Sequence, residues 1–199
     1  DSIVDATWKN IKVPGEVMMQ GFSIKNDAPF AYKKTVEIPM NYKGKSIYLQ
    51  FDGVYSYARV WVNGNFVRDH HGGFTRWKCD ITPFVKAGEK ASVSVEVTDR
   101  SDDISYASGY AKHQIGGILR DVNLLALPKI YPEEIKIETD LDAEYTDANL
   151  IVSGALNTMD ERSKIKIQLF DIHKNEIELK EGTIQFRNDK TFNIQNLIS

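Results

Sequence analysis

The chain has 199 residues, 42% of them hydrophobic and 27% charged, with a formal net charge of −3 at neutral pH. That balance suits a soluble globular chain long enough for one large domain or two modest ones. It offers no basic footprint for a phosphate backbone, which excludes nucleic acid as an expected partner. No apolar run approaches the roughly 18 residues needed to span a bilayer, so no membrane partner is expected either.

The chain opens on Asp1-Ser2-Ile3, with neither an initiator Met nor a signal-like apolar segment, and this reads as a processed end. At most a helical turn is expected near Pro14 to Gln20, followed by a loop from Ser23 to Phe30. From there period two dominates. "KSIYLQF" sets Ile47, Leu49 and Phe51 against Tyr48 and Gln50, the pattern of a half-buried antiparallel strand. Asn63-Gly64 tolerates positive φ at both positions, so Arg59 to Val62 and Asn65 to Arg68 are expected as the arms of a two-residue hairpin. In the first arm Ala58, Val60 and Val62 share the core face and Tyr57, Arg59 and Trp61 the other. What this second face meets stays open between a neighbouring loop or domain and a stacked sugar.

Gly53 and Gly72-Gly73 sit where strands end, and a positive-φ role is expected for them. The lone Cys79 excludes an intrachain disulfide and a thiolate metal cluster, and reads as a small buried hydrophobe beside Trp77. Asp80 before Ile81-Thr82-Pro83 reads as a cap for a short helical turn. "ASVSVEV" predicts a strand with Val93, Val95 and Val97 inward, and "SKIKIQLF" another with Ile165, Ile167 and Leu169 inward. Between them "SYASGYAKHQIGG", residues 105 to 117, is a loop long enough to carry function. Arg120 and Asp121 are neighbours and would face opposite ways if extended, so Arg120 is expected to pair with a carboxylate elsewhere, such as Asp52 or Asp80.

Pro128 and Pro132 in "LALPKIYPEE" mark a boundary, and all three Trp residues precede it. The expectation is all-β, with two sandwiches at 1–128 and 129–199. The second, at about 70 residues, is short against the about 100 of a seven-stranded immunoglobulin-like sandwich, and is expected to be truncated with an open edge.

Several stretches in combination resemble one family: Phe51-Asp52-Gly53-Val54, Trp61-Val62-Asn63-Gly64, Gly72-Gly73-Phe74, Asp80-Ile81-Thr82 and Gly116-Gly117-Ile118-Leu119-Arg120-Asp121-Val122. Their order and spacing resemble the N-terminal jelly-roll, or sugar-binding, domain of glycoside hydrolase family 2, which includes β-galactosidases, β-glucuronidases and β-mannosidases. The resemblance runs from about Trp8 to Pro128, and the remainder resembles the family's immunoglobulin-like second domain by position and strand pattern. It implies as partners a catalytic (β/α)₈ barrel of the same parent chain and a carbohydrate, with possible homo-oligomers through the parent, and it implies no cofactor. In β-galactosidases of the family, the loop before the Gly-Ile-x-Arg-Asp-Val strand brings a carboxylate to the barrel's mouth. The matching position here is about Ala111, so the acid is missing. By that resemblance Tyr110, Lys112, His113 and Gln114, with Asn26 in the earlier loop, are the substrate-facing candidates, and Tyr57, Arg59 and Trp61 are interface candidates.

Catalytic constellations are not found in the chain itself. A retaining glycosidase needs two carboxyls about 5–5.5 Å apart, one of them kept protonated. Asp102-Asp103, Glu133-Glu134 and Asp160-Glu161 are each adjacent on polar stretches and read as solvated. His70-His71 would point to opposite faces of a strand with no further ligand near, so no metal is expected. The expected function is that of a non-catalytic N-terminal part of a family 2 glycosidase whose parent hydrolyses terminal β-linked sugars. The alternatives are a free-standing carbohydrate-binding module and a structural β-sandwich surface protein.

Overall fold

The computed structural model describes residues 8–100, 115–158, 164–179, 183–186 and 190–198. The chain divides into two compact units, Asp1–Leu127 and Pro128–Ser199. Both are built of antiparallel strands, as expected. Among the described residues no helix is long and apolar enough to cross a membrane.

The first unit contains β1 (Phe30–Glu37), β2 (Ser46–Phe51), β3 (Val54–Tyr55), β4 (Tyr57–Val62), β5 (Asn65–His71), β6 (Trp77–Asp80), β7 (Lys90–Thr98), β8 (Gly117–Ile118) and β9 (Val122–Leu127). One sheet runs β1-β7-β4-β5, a second runs β6-β2-β9, and β3 pairs with β8. Alternation in sequence becomes alternation in burial: Ile47, Leu49 and Phe51 of β2, Ala58, Val60 and Val62 of β4, and Val93, Val95 and Val97 of β7 join one core between the sheets. Cys79 is buried in the same core, and burial pushes its thiol up to about 11. Asn63 and Gly64 adopt φ of 50° and 80°, the hairpin geometry anticipated for that pair. A register shift between Val60 and Trp61 then sets Trp61 opposite Phe66. The anticipated turn near Gln20 is a 3-10 helix, Met18–Gln20, closed by Gly21 at φ 84°.

The edges of the two sheets are tied by a stack of rings. Trp77 of β6 lies between Phe51 at 4.4 Å and His70 of β5 at 4.7 Å, both nearly parallel. Arg68 of β5 adds a hydrogen bond from Nη1 to the Lys78 carbonyl at 2.6 Å.

The glycine reading needs correction. Of Gly53, Gly72 and Gly73, only Gly72 has a positive φ, 115°. Gly53 and Gly73 are required by close approach instead. A Cβ on Gly53 would sit 3.1 Å from the Gly73 carbonyl oxygen and 3.2 Å from Arg120 Cδ, and one on Gly73 would overlap the Tyr55 ring.

The second unit contains β10 (Pro132–Leu141), β11 (Ala148–Leu156), β12 (Leu169–Phe170), β13 (Glu176–Ile177), β14 (Thr183–Phe186) and β15 (Thr191–Ile198). Its main sheet is β10-β11-β15-β14, with β12-β13 as a separate pair. The core is small: Leu156, Phe192 and Ile194, with Ile130, Val152, Ile165 and Ile167 against them. The strand expected over "SKIKIQLF" is reduced to Leu169–Phe170. Ile165, Ile167 and Leu169 are still half-buried and Lys164, Lys166 and Gln168 exposed, so the period survives without ladder partners for 164–168 among the described residues. On β10, Ile135 and Ile137 share a face with Val152 and Ile194 through the register yet are 55% and 67% exposed.

Gly73→Ala is expected to destabilise the first unit by about 1–3 kcal/mol, the range for overpacking a filled site. A lower denaturant midpoint at unchanged slope is the expected reading. Native-state hydrogen exchange should find β10 amides exchanging faster than those of β7, since β10 is an exposed sheet edge and β7 a central strand facing the core.

Candidate functional site

Two loops singled out in the sequence are rooted at one end of the first sandwich. The Asp27 N–H donates to the Asp99 carbonyl at 2.8 Å, tying the Ser23–Phe30 loop to the end of β7. The next residue, Arg100, donates its N–H to Ser56 Oγ at 3.0 Å, and the Ser56 carbonyl accepts the Gly72 N–H at 2.9 Å. Where the chain returns, Gly116 packs so tightly on Ile24 and Phe30 that a Cβ there would overlap Ile24, and its carbonyl accepts the Val17 N–H at 3.1 Å. Asn26 is exposed in the first of these loops. Tyr110, Lys112, His113 and Gln114 lie outside the described residues; on either side of 101–114, Asp99 is bonded to Asp27 and Gly116 packs on Ile24 and Phe30.

Several of the motifs that carry the resemblance meet at a neighbouring corner. The Gly53 carbonyl accepts the N–H groups of Leu119 and Arg120 at 3.0 and 3.3 Å, and the Asp52 N–H donates to the Asp121 carbonyl at 3.0 Å. The Asp52 carboxylate accepts hydrogen bonds from Arg76 Nε at 2.7 Å, Gln50 Nε2 at 3.0 Å and Asn123 Nδ2 at 3.5 Å. This corrects the expected pairing of Arg120. Asp52 belongs to Arg76, Asp80 accepts the Thr82 N–H at 2.9 Å from the position before Ile81, which is itself the N-cap of the 3-10 turn, and Arg120 donates to the Phe74 carbonyl at 3.3 Å. Arg76 was the missed residue. Antiparallel register finds it: with Phe51 opposite Trp77, Asp52 comes opposite residue 76. A depression of about 510 Å³ opens here, lined by Pro14, Asp52, Arg76, Leu119, Arg120 and Asp121.

The face carrying Tyr57, Arg59 and Trp61 is half-buried, largely by its own members. The Arg59 guanidinium lies over the Trp61 ring at 4.9 Å and near Phe66 at 5.8 Å, and pairs with Glu96 at 3.4 Å. Tyr57 contacts His71 at 4.4 Å, lies under Arg100 at 3.8 Å and donates its hydroxyl to Asp69 Oδ2 at 3.3 Å.

His70 and His71 face opposite ways, one on Trp77 and one on Tyr57, as the strand reading requires. Among the described residues no group of three His, Cys, Asp or Glu side chains can hold a metal ion. Two carboxyls are held below the ordinary range, Asp142 by the Thr146 N–H and hydroxyl and Asp171 by the Asn175 side chain and N–H. Both shifts run opposite to what a general acid needs.

The fold and this corner define an antiparallel β-sandwich module. Residues 5–128 match the family described as glycosyl hydrolases family 2, sugar binding domain, and the chain belongs to that family. A β-galactosidase of Priestia megaterium is 28% identical over 197 residues, covering 85% of this chain and 19% of its own length. A β-galactosidase of Thermoanaerobacterium thermosulfurigenes is 32% identical over 175 residues, covering 83% of this chain and 24% of its own length. The solved structure of Bacteroides uniformis β-glucuronidase 3 shares the fold with a TM-score of 0.75 at 20% identity, over 98% of this chain and 26% of that one. The chain thus spans about a fifth to a quarter of these relatives.

The His70 stack generates a pH dependence. Burial first, then Arg68 and His71, hold the His70 imidazole below its ordinary 6.5, with Asp69 opposing. A histidine with a lowered folded pKa contributes no penalty above the unfolded value. Stability should therefore fall as pH drops through 6.5 and level off below the lowered folded value. His70→Phe keeps a ring on Trp77 and does not titrate. Denaturant midpoints at pH 8 and pH 5 should differ less for this variant than for the parent chain.

Proposed function

We propose that this chain is the non-catalytic N-terminal part of a family 2 glycosidase whose complete polypeptide hydrolyses terminal β-linked sugars. Residues 1–128 are the sugar-binding jelly roll of that enzyme, and 129–199 belong to an immunoglobulin-like sandwich. Its task is to pack on a catalytic (β/α)₈ barrel and shape the barrel's sugar site with two loops. The observation that carries this reading is the common root of those loops: Asp27 bonded to Asp99, and Gly116 packed on Ile24. Asn26 and the set Tyr110, Lys112, His113 and Gln114 are then the groups that meet the substrate. The missing acid at Ala111 favours a terminal sugar held by neutral or cationic groups over one held by a carboxylate.

Tyr57, Arg59 and Trp61 form an interface in this reading. A sugar stacks by laying its C–H face on an open aromatic ring, but the Trp61 ring already has the Arg59 guanidinium over it. Displacing Arg59 would also break its contact with Glu96. Clustered Trp, Tyr, Phe and Arg are the residue types enriched at protein interfaces.

The test is an assay of the purified 199-residue chain and of the complete polypeptide on nitrophenyl β-galactoside, β-glucuronide and β-mannoside. The complete polypeptide should turn over at least one of them and the chain alone none. Turnover by the chain alone that disappears when one Asp or Glu is substituted would overturn the reading.

A further inference from the structure

Arg120 is exposed, yet its position is fixed from several sides. Its N–H binds the Gly53 carbonyl at 3.3 Å, its stem runs so close to Gly53 that a Cβ there would come within 3.2 Å of Cδ, and Nη1 donates to the Phe74 carbonyl at 3.3 Å. The stem thus lies against the strand end while the guanidinium stays at the surface. The nearby Asp52 is already engaged by Arg76, Gln50 and Asn123, and among the described residues Arg120 has no carboxylate partner. A guanidinium has five N–H donors in a fixed fork, of which one is used here. Phe74, whose carbonyl it binds, is 48% exposed, and its ring leans on Tyr55 at 5.4 Å.

We propose that Arg120 is a docking residue, whose guanidinium receives a carboxylate side chain from a further domain of the complete polypeptide while the Phe74 ring packs on that domain's apolar surface. The inference rests on the reading of this chain as part of a larger glycosidase, and it names the chemistry of the contact. The planar fork suits a carboxylate in two-point contact, which fixes orientation as well as position. The adjoining ring suits protein over a free sugar acid, because an exposed aromatic beside an arginine is the composition of an interface anchor. A body large enough to supply that surface is implied by relatives of which this chain covers 19% and 24%.

The experiment compares Arg120→Met and Arg120→Lys in the 199-residue chain and in the complete polypeptide, by thermal unfolding at low and high salt. In the chain alone, Arg120→Met should lower the melting midpoint by at most about two degrees, since the bond lost is a 3.3 Å contact at an exposed site whose carbonyl water can satisfy. In the complete polypeptide the same change should lower the first transition by several degrees and weaken its salt dependence, with Arg120→Lys restoring part of the loss. Equal shifts in both contexts, or no shift in either, would overturn the proposal. So would binding of free glucuronate to the 199-residue chain by calorimetry that Arg120→Met abolishes, which would make the site a sugar-acid site. Nitrophenyl glycoside turnover by the unsubstituted complete polypeptide reads the underlying functional assignment separately: its absence would sink that assignment and leave the melting comparison intact.

Discussion

The Gly53 carbonyl oxygen joins what the rest of the first unit depends on. By accepting N–H groups from Leu119 and Arg120 at 3.0 and 3.3 Å, it fixes the segment between β8 and β9 against the end of β2. Asp52, one residue earlier, donates back to Asp121 at 3.0 Å, so the two chains are clamped in both directions. The clamp is closest where residue 53 lacks a side chain, since a Cβ there would come within 3.1 Å of the Gly73 carbonyl oxygen and 3.2 Å of the Arg120 stem. From this point β3 pairs with β8, β9 pairs with β2, and the Gly116 carbonyl is delivered to the Val17 N–H. The loop roots therefore follow from a backbone contact, and the sheets below them supply the stiffness.

Near this corner the Asp52 carboxylate is engaged by groups of the chain itself. Asp52 has three donors, and its carboxylate is mostly sheltered while Arg76 reaches in from solvent at 69% side-chain exposure. An exposed arginine in such a pair adds little stability by itself, because water screens it and its side chain loses freedom. Its effect is on pairing: Asp52 takes Arg76 as its cation, and Arg120 donates to the Phe74 carbonyl instead. The same logic holds on the outer face of β4, where Arg59 is divided between Glu96 and the Trp61 ring.

Much of this was legible in the residues and some was not, for physical reasons. The alternation in "KSIYLQF" and "ASVSVEV" reports burial directly, because a strand with one dry face must place every second residue in the core. The Asn63-Gly64 hairpin is equally local. The register shift at Trp61 is not local, and only the pairing of β4 with β5 reveals that Trp61 meets Phe66. Arg76 escaped notice because Asp52 and Arg76 are joined through the pairing of β2 with β6, a relation between strands that neither strand carries alone. Gly53 and Gly73 show the opposite trap: a glycine at a strand end suggested a turn conformation, when the cause was a neighbour's side chain. Of the substrate-facing set, only Asn26 falls within the described residues.

The second unit shows how far alternation can be separated from burial. "PEEIKIETDL" places Ile135, Ile137 and Leu141 on the face shared with Val152 and Ile194, yet all three are more than half exposed. Ile165 and Ile167 cover the β11 and β15 part of that face, where Val152, Phe192 and Ile194 form the core. Fully burying an isoleucine contributes about 1.5–3 kcal/mol, so on β10 most of that driving force is unrealised. What holds the register there is the ladder to β11, continuous from Glu134 to Leu141. A ladder without a packed face resists a one-residue slip weakly, because the slip would move few buried groups into water. The strand's position is thus inherited from β11, whose Leu150 and Leu156 are buried, and β10 follows the central strand instead of anchoring it.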